Sequence, residues 1–141
     1  MKLLLCFIVS LLISLIIHEM GHAFFSVITR TRITGVNVGV GPRIWSNNLL
    51  CVKLFPISGN VECELDISNK KGIIKMAFIA MGGCVFNAVL LIISVNFING
   101  SYSLILAFIN LIMCISSMVP AKGSDMYTVL VGCGLINGEC D

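Results

Sequence analysis

The chain has 141 residues, of which 57% are hydrophobic and only 11% charged, with a formal net charge of +2. A soluble domain carries about 25% charged residues, so this composition, with a mean hydropathy of +1.02, excludes an ordinary soluble domain and points to a membrane protein. A nucleic-acid binder is excluded as well, because no basic patch with interleaved aromatic residues is present.

Three apolar stretches, at 3–28, 73–97 and 102–119, each have about the length of a spanning helix, which needs roughly 17 to 25 mostly apolar residues. The first follows a basic start at Lys2, as a signal peptide would. It runs well past the roughly 7 to 15 apolar residues of a signal core, however, and no small-x-small cleavage site interrupts it. A retained first span is therefore expected. No linker, low-complexity run or repeat divides residues 1–141, which read as a single membrane domain.

From Thr31 the pattern changes to alternation of apolar residues with polar ones or glycine. Residues 33–63 are rich in Val, Ile, Leu and Phe, and Gly41-Pro42 and Asn47-Asn48 interrupt them as turn signals. This predicts a β-hairpin or small sheet at the membrane surface, with Gly39, Gly41 and Gly59 suited to tight turns or close backbone approach. The polar link LDISNKK (65–71) follows. In the second span, Gly82 and Gly83 permit close helix approach, and Asn87 is a lone polar side chain near mid-depth. The third span ends in SSMVPAKGSDMY, where Pro120 and Gly123 should break the helix and leave Asp125 near the start of a helical piece over 124–137. The fold class is thus an all-α membrane protein of three core transmembrane helices, a short C-terminal helical piece, and a membrane-associated β-hairpin between helices 1 and 2.

Arg30, Arg32, Arg43, Lys53, Lys70, Lys71 and Lys75 all lie between or beside the first two spans, whereas the 95–101 connection carries no charge. The positive-inside rule then places residues 30–72 and the C-terminus in the cytoplasm and the N-terminus outside. Seven cysteines (6, 51, 63, 84, 114, 133 and 140) form no CxxC pair and read as small apolar residues.

The first span holds HEMGH, an H-E-x-x-H pattern with His18, Glu19 and His22. Histidines four apart share one helix face and can reach one metal ion; the glutamate can take a proton from a water that zinc has acidified. Ionisable residues are costly in hydrocarbon, so a function should offset their burial. A catalytic zinc site takes a third protein ligand. Glu62, Glu64 and Asp66 form a polar loop cluster that reads as a solvated face. Asp125, which follows the helix break, is the better choice: His22 lies about 12 Å from the cytoplasmic end, and a chain re-entering after Pro120 reaches that level.

These residues resemble the site-2 protease family of intramembrane zinc metalloproteases. HEMGH resembles the zinc motif; GVGPRIW and LFPISGNV resemble the G-x-G-P and P-L-G-G-Y-V segments of the membrane-associated β region. Gly83 to Asn87 matches G-x-x-x-N, and Ser117 to Asp125 resembles N-x-x-P-x-x-x-x-D-G. Three departures stand out: Ser117 replaces Asn, Met126 replaces Gly, and Ser58-Gly59-Asn60 replaces the Gly-Gly-Tyr neighbourhood. The resemblance implies one zinc ion held by His18, His22 and Asp125, with Glu19 as catalytic base. It implies a minimal core without a PDZ-like or sensing domain, placed in the bacterial cytoplasmic membrane. The substrate would be a transmembrane protein or peptide in the lipid bilayer, with regulation left to an unidentified membrane partner.

Asn87 and Ser117 are candidates for holding substrate or the reaction's oxyanion; for Asn87 a helix–helix hydrogen bond is an equal reading. Gly39, Gly41, Pro56 and Gly59 belong to a hairpin that either captures an unwound substrate strand, covers the site or anchors the surface. A catalytically inactive family member acting as a membrane peptide-binding scaffold is the alternative. A metal transporter ranks last, because the outer half of the first span offers only Ser10 and Ser14 as polar groups.

Overall fold

The computed structural model describes residues 2–136, the side chains of Pro56, Ile57 and Ser101 excepted. In chain order it contains α1 (Lys2–Ile28), β1 (Arg32–Ser46), β2 (Leu50–Glu64), α2 (Lys70–Phe97), α3 (Ser101–Met118) and α4 (Asp125–Gly132). The expected end of the C-terminal piece at 137 lies outside the described residues, and α4 itself closes earlier, at Gly132.

The helices are inverted relative to those of a water-soluble bundle. Ser14, Ser26, Asn87, Ser94 and Asn110 are buried completely, while Ile16 (52% exposed) and Phe108 (61%) face outward. Burying polar groups and exposing large aliphatics costs free energy in water; it is the expected arrangement where hydrocarbon surrounds the bundle. Some of these polar groups join one helix to another. The Asn110 amide donates to Ser14 Oγ (2.9 Å), joining α3 to α1, and Ser103 Oγ donates to the Ser94 carbonyl (2.7 Å), joining α3 to α2.

Two helices, α1 with 27 residues and α2 with 28, are long and apolar enough to cross a membrane. The third is shorter than a standard span: α3 has 18 residues, or about 27 Å at 1.5 Å per residue, against a hydrocarbon core of about 30 Å. The expectation of three core spans is therefore met only in part, by two helices of spanning length and one shorter apolar helix.

Glycines set how closely α1 and α2 approach. A Cβ on Gly21 would overlap the Gly82 carbonyl oxygen, and a Cβ on Gly82 would overlap the Gly21 carbonyl oxygen. The two backbones touch there, and no rotamer change could relieve an added side chain. Gly82→Val should therefore cost at least the ~1–3 kcal/mol typical of overpacking, read as a lower thermal unfolding midpoint in detergent. An unchanged midpoint would contradict this helix contact.

β1 and β2 pair as an antiparallel hairpin, with the turn at 47–49 closed by Asn47 Oδ1 accepting from the Leu49 and Leu50 amides. Asn47-Asn48 thus turns the chain as expected. Gly41-Pro42 does not: Gly39 and Gly41 have φ of +94° and +90° inside β1, where the register slips between Val38 and Arg43. They are bulge residues, bending one strand rather than ending it. The Val36–Val38 segment pairs twice, with residues 59–61 on one side and 50–52 on the other, so the hairpin folds back on itself there. Residues 59–61 pair with β1 alone among the described residues, which leaves their other edge free.

Candidate metal centre

α1 carries a buried polar stripe at four-residue spacing: Ser10, Ser14, His18, His22 and Ser26. The spacing places His18 and His22 one turn apart, with ring centroids 4.8 Å apart and the planes nearly perpendicular. The third component arrives from a broken helix. Pro120 follows the end of α3, Gly123 takes a φ of +91°, and Ser124 caps α4 by accepting from the Tyr127 amide (3.1 Å). Ser124 Oγ also donates to the Val119 carbonyl (2.6 Å), which ties the end of α3 to the start of α4.

This places Asp125, the first residue of α4, over both rings. Asp125 Oδ2 lies 3.3 Å from His18 Nε2, and Oδ1 lies 3.3 Å from His22 Nε2. One ligand atom from each of the three residues falls within 4.8 Å of the other two. Two donors bound at about 2.0–2.1 Å to one tetrahedral ion stand roughly 3.3 Å apart, so the separations suit a small divalent cation. The donor set of two imidazoles and a carboxylate suits zinc. Asp125 Oδ2 is buried with no hydrogen-bonding partner, as expected of an oxygen meant for an ion. Met126, in place of glycine, does not prevent α4 from starting at Asp125.

The ring nitrogens facing away from Asp125 are also engaged. His22 Nδ1 is 2.8 Å from the Ile79 carbonyl oxygen, and His18 Nδ1 is 3.1 Å from the Asn87 amide nitrogen. Both contacts come from α2, and Gly83 lets it approach: a Cβ there would overlap the His18 imidazole.

A cavity of about 790 Å³ opens onto the three residues. Glu19 lines it, is only 7% exposed, and has an Oε2 without a hydrogen-bonding partner. Gly59 of β2 packs directly on the Glu19 carboxyl group, where a Cβ would collide. The free edge of β2 at residues 58–61 lines the same cavity, as do Lys122 and Thr128, which the sequence did not single out.

The remaining candidates divide. Ser117 lines the cavity, but its hydroxyl donates to the Cys114 carbonyl (3.2 Å), so its proton is already used. Asn87 is not among the residues lining the cavity; it is fully buried behind His18, where its contact is the helix–helix hydrogen bond of the two readings. Gly39 and Gly41 lie farther out, against Lys53 and Phe55, and of the three hairpin glycines only Gly59 lines the cavity; the Pro56 side chain is outside the described residues.

Asp66 is engaged locally. It accepts from the Ser68 hydroxyl (2.6 Å), the Ser68 amide (3.0 Å) and the Asn69 amide (2.8 Å). The Ser68 hydroxyl, then the other donors, hold its carboxyl below the ordinary value.

The family model described as Peptidase family M50 matches residues 6–126, a stretch that includes all of HEMGH and Asp125. No curated protein matches the chain.

Proposed function

Because the chain belongs to peptidase family M50, the site-2 protease family, we propose that it is an intramembrane zinc peptidase hydrolysing a bond within or near a transmembrane segment. The observation that carries this reading is the convergence of His18, His22 and Asp125 beside a buried glutamate in one cavity. α1 and α2 cross the membrane and α3 completes the bundle as a short third span, accommodated by modest local thinning of the bilayer. Residues 30–72 and the C-terminus are cytoplasmic and the N-terminus lies outside.

A zinc ion held by His18, His22 and Asp125 would supply the Lewis acidity that acidifies the attacking water and neutralises charge on the carbonyl oxygen. Glu19 accepts the proton as the water oxygen bonds to the carbonyl carbon. It then returns that proton to the amide nitrogen as the C–N bond breaks, leaving a carboxylic acid and an amine. Glu19 lines the cavity and packs on Gly59, which sets its carboxyl group beside the edge of β2. A transmembrane helix conceals its peptide bonds, so substrate must be extended before attack. Such a segment would add as a strand to the free edge of residues 59–61, running along the cavity that these residues line.

Metal removal tests this reading. The purified chain should contain one zinc ion, and a chelator should abolish cleavage of single-span membrane reporters, with zinc restoring it. Undiminished cleavage by the metal-free chain would contradict it.

A further inference from the structure

α1 carries both histidines, yet α2 determines which ring nitrogen faces Asp125. A carbonyl oxygen only accepts, so the Ile79 contact puts the His22 ring proton on Nδ1. Its Nε2 then keeps a free lone pair, and that is the atom 3.3 Å from Asp125. His18 needs the same arrangement, because its Nε2 also faces Asp125. The group at its Nδ1 is the Asn87 amide, eight residues beyond Ile79 on the same helix.

With the amide nitrogen toward the ring, Asn87 Oδ1 is left buried with no partner at all. The two ends of an amide have nearly the same shape, and hydrogen bonding decides which way it turns. Turning it end for end brings Oδ1 onto His18 Nδ1, where it accepts the ring proton as the Ile79 carbonyl does for His22. Because Asn87 is fully buried and Gly83 places α2 hard against the imidazole, no water can substitute as the acceptor.

We propose that Asn87 is a positioning residue whose amide oxygen holds His18 with its proton on Nδ1, presenting Nε2 as a metal ligand. This deepens the zinc-peptidase reading and rests on it. Partners of ligating histidines fix ring orientation and raise basicity, and their loss typically costs 10–100-fold in metal affinity.

The test measures zinc affinity of the full chain in detergent by competition with a chromogenic chelator, for wild type, His18→Ala, Asn87→Leu and Asn87→Asp. Asn87→Leu, which cannot accept, should bind zinc about 10–100-fold more weakly. Asn87→Asp, which only accepts, should stay within about threefold of wild type or bind more tightly. The chain contains two histidines, so ¹⁵N-histidine labelling of the zinc-loaded protein resolves both rings. The His18 Nδ1–H signal should show a hydrogen bond in wild type and Asn87→Asp and lose it in Asn87→Leu.

Wild-type affinity in Asn87→Leu, or equal weakening in Asn87→Asp, overturns the assignment. Should Asn87→Leu fail to fold, weak binding by Asn87→Asp or absence of the wild-type Nδ1–H hydrogen bond overturns it alone. If His18→Ala abolishes zinc binding while Asn87→Leu does not weaken it, the role of Asn87 falls and the zinc site stands. A wild type that binds no zinc overturns both.

Discussion

Glu19→Gln should retain one zinc ion and lose about 10²–10⁴-fold in the rate of peptide cleavage, the usual contribution of a positioned general base. Glutamine keeps the shape of the side chain that packs against Gly59, so the cavity should not collapse. It cannot accept the proton of the attacking water, and the loss should therefore fall on kcat rather than on substrate binding. Metal analysis and cleavage rates on the same preparation check both halves. A Gln variant that cleaves at the wild-type rate would remove Glu19 from the role of base.

The second large effect is expected at the ligands. His22→Ala and Asp125→Ala each delete one of three donors gathered within 4.8 Å. Each should weaken zinc binding by more than the 10–100-fold that follows loss of a ligand's supporting partner. Asp125→Ala is the more informative of the two. Asp125 is the first residue of α4, and Ser124 rather than Asp125 caps that helix. Its removal should therefore spare the fold while emptying the site, seen as absent zinc with an unchanged unfolding midpoint of the metal-free protein. Zinc retained at wild-type affinity would exclude Asp125 as a ligand.

Different physical rules made different parts of the molecule readable in advance. α1 and α2 were legible because a membrane requires about 20 consecutive apolar residues, a demand that few other segments meet. HEMGH was legible because helical periodicity alone places residues 18 and 22 on one face. Asp125 was reachable through Pro120 and Gly123, whose backbone constraints announce a break before the next helix begins. α3 was harder, since its 18 residues fall at the lower edge of spanning length.

The hairpin shows a second limit. Gly41-Pro42 has the composition of a turn, but a bulge needs the same positive φ from its glycine, and only pairing with residues 51–55 separates the two. The partners of the histidines were least accessible. Ile79 acts through a backbone carbonyl, which every residue possesses, so no side-chain pattern signals it. Asn87 could be marked as a polar residue at depth, but whether it faced the cavity or the imidazole depended on the rotation of α2 against α1. The contacts at Gly21, Gly82 and Gly83 set that rotation.

The most direct test of the central claim is mass spectrometry of the products formed from a panel of single-span membrane reporters by the zinc-loaded chain, beside zinc-loaded Glu19→Gln. New termini within or next to the membrane segment of at least one reporter are expected with wild type and absent with the variant. Reporters left intact by a wild type carrying its zinc ion, or identical cuts by both proteins, would contradict that claim.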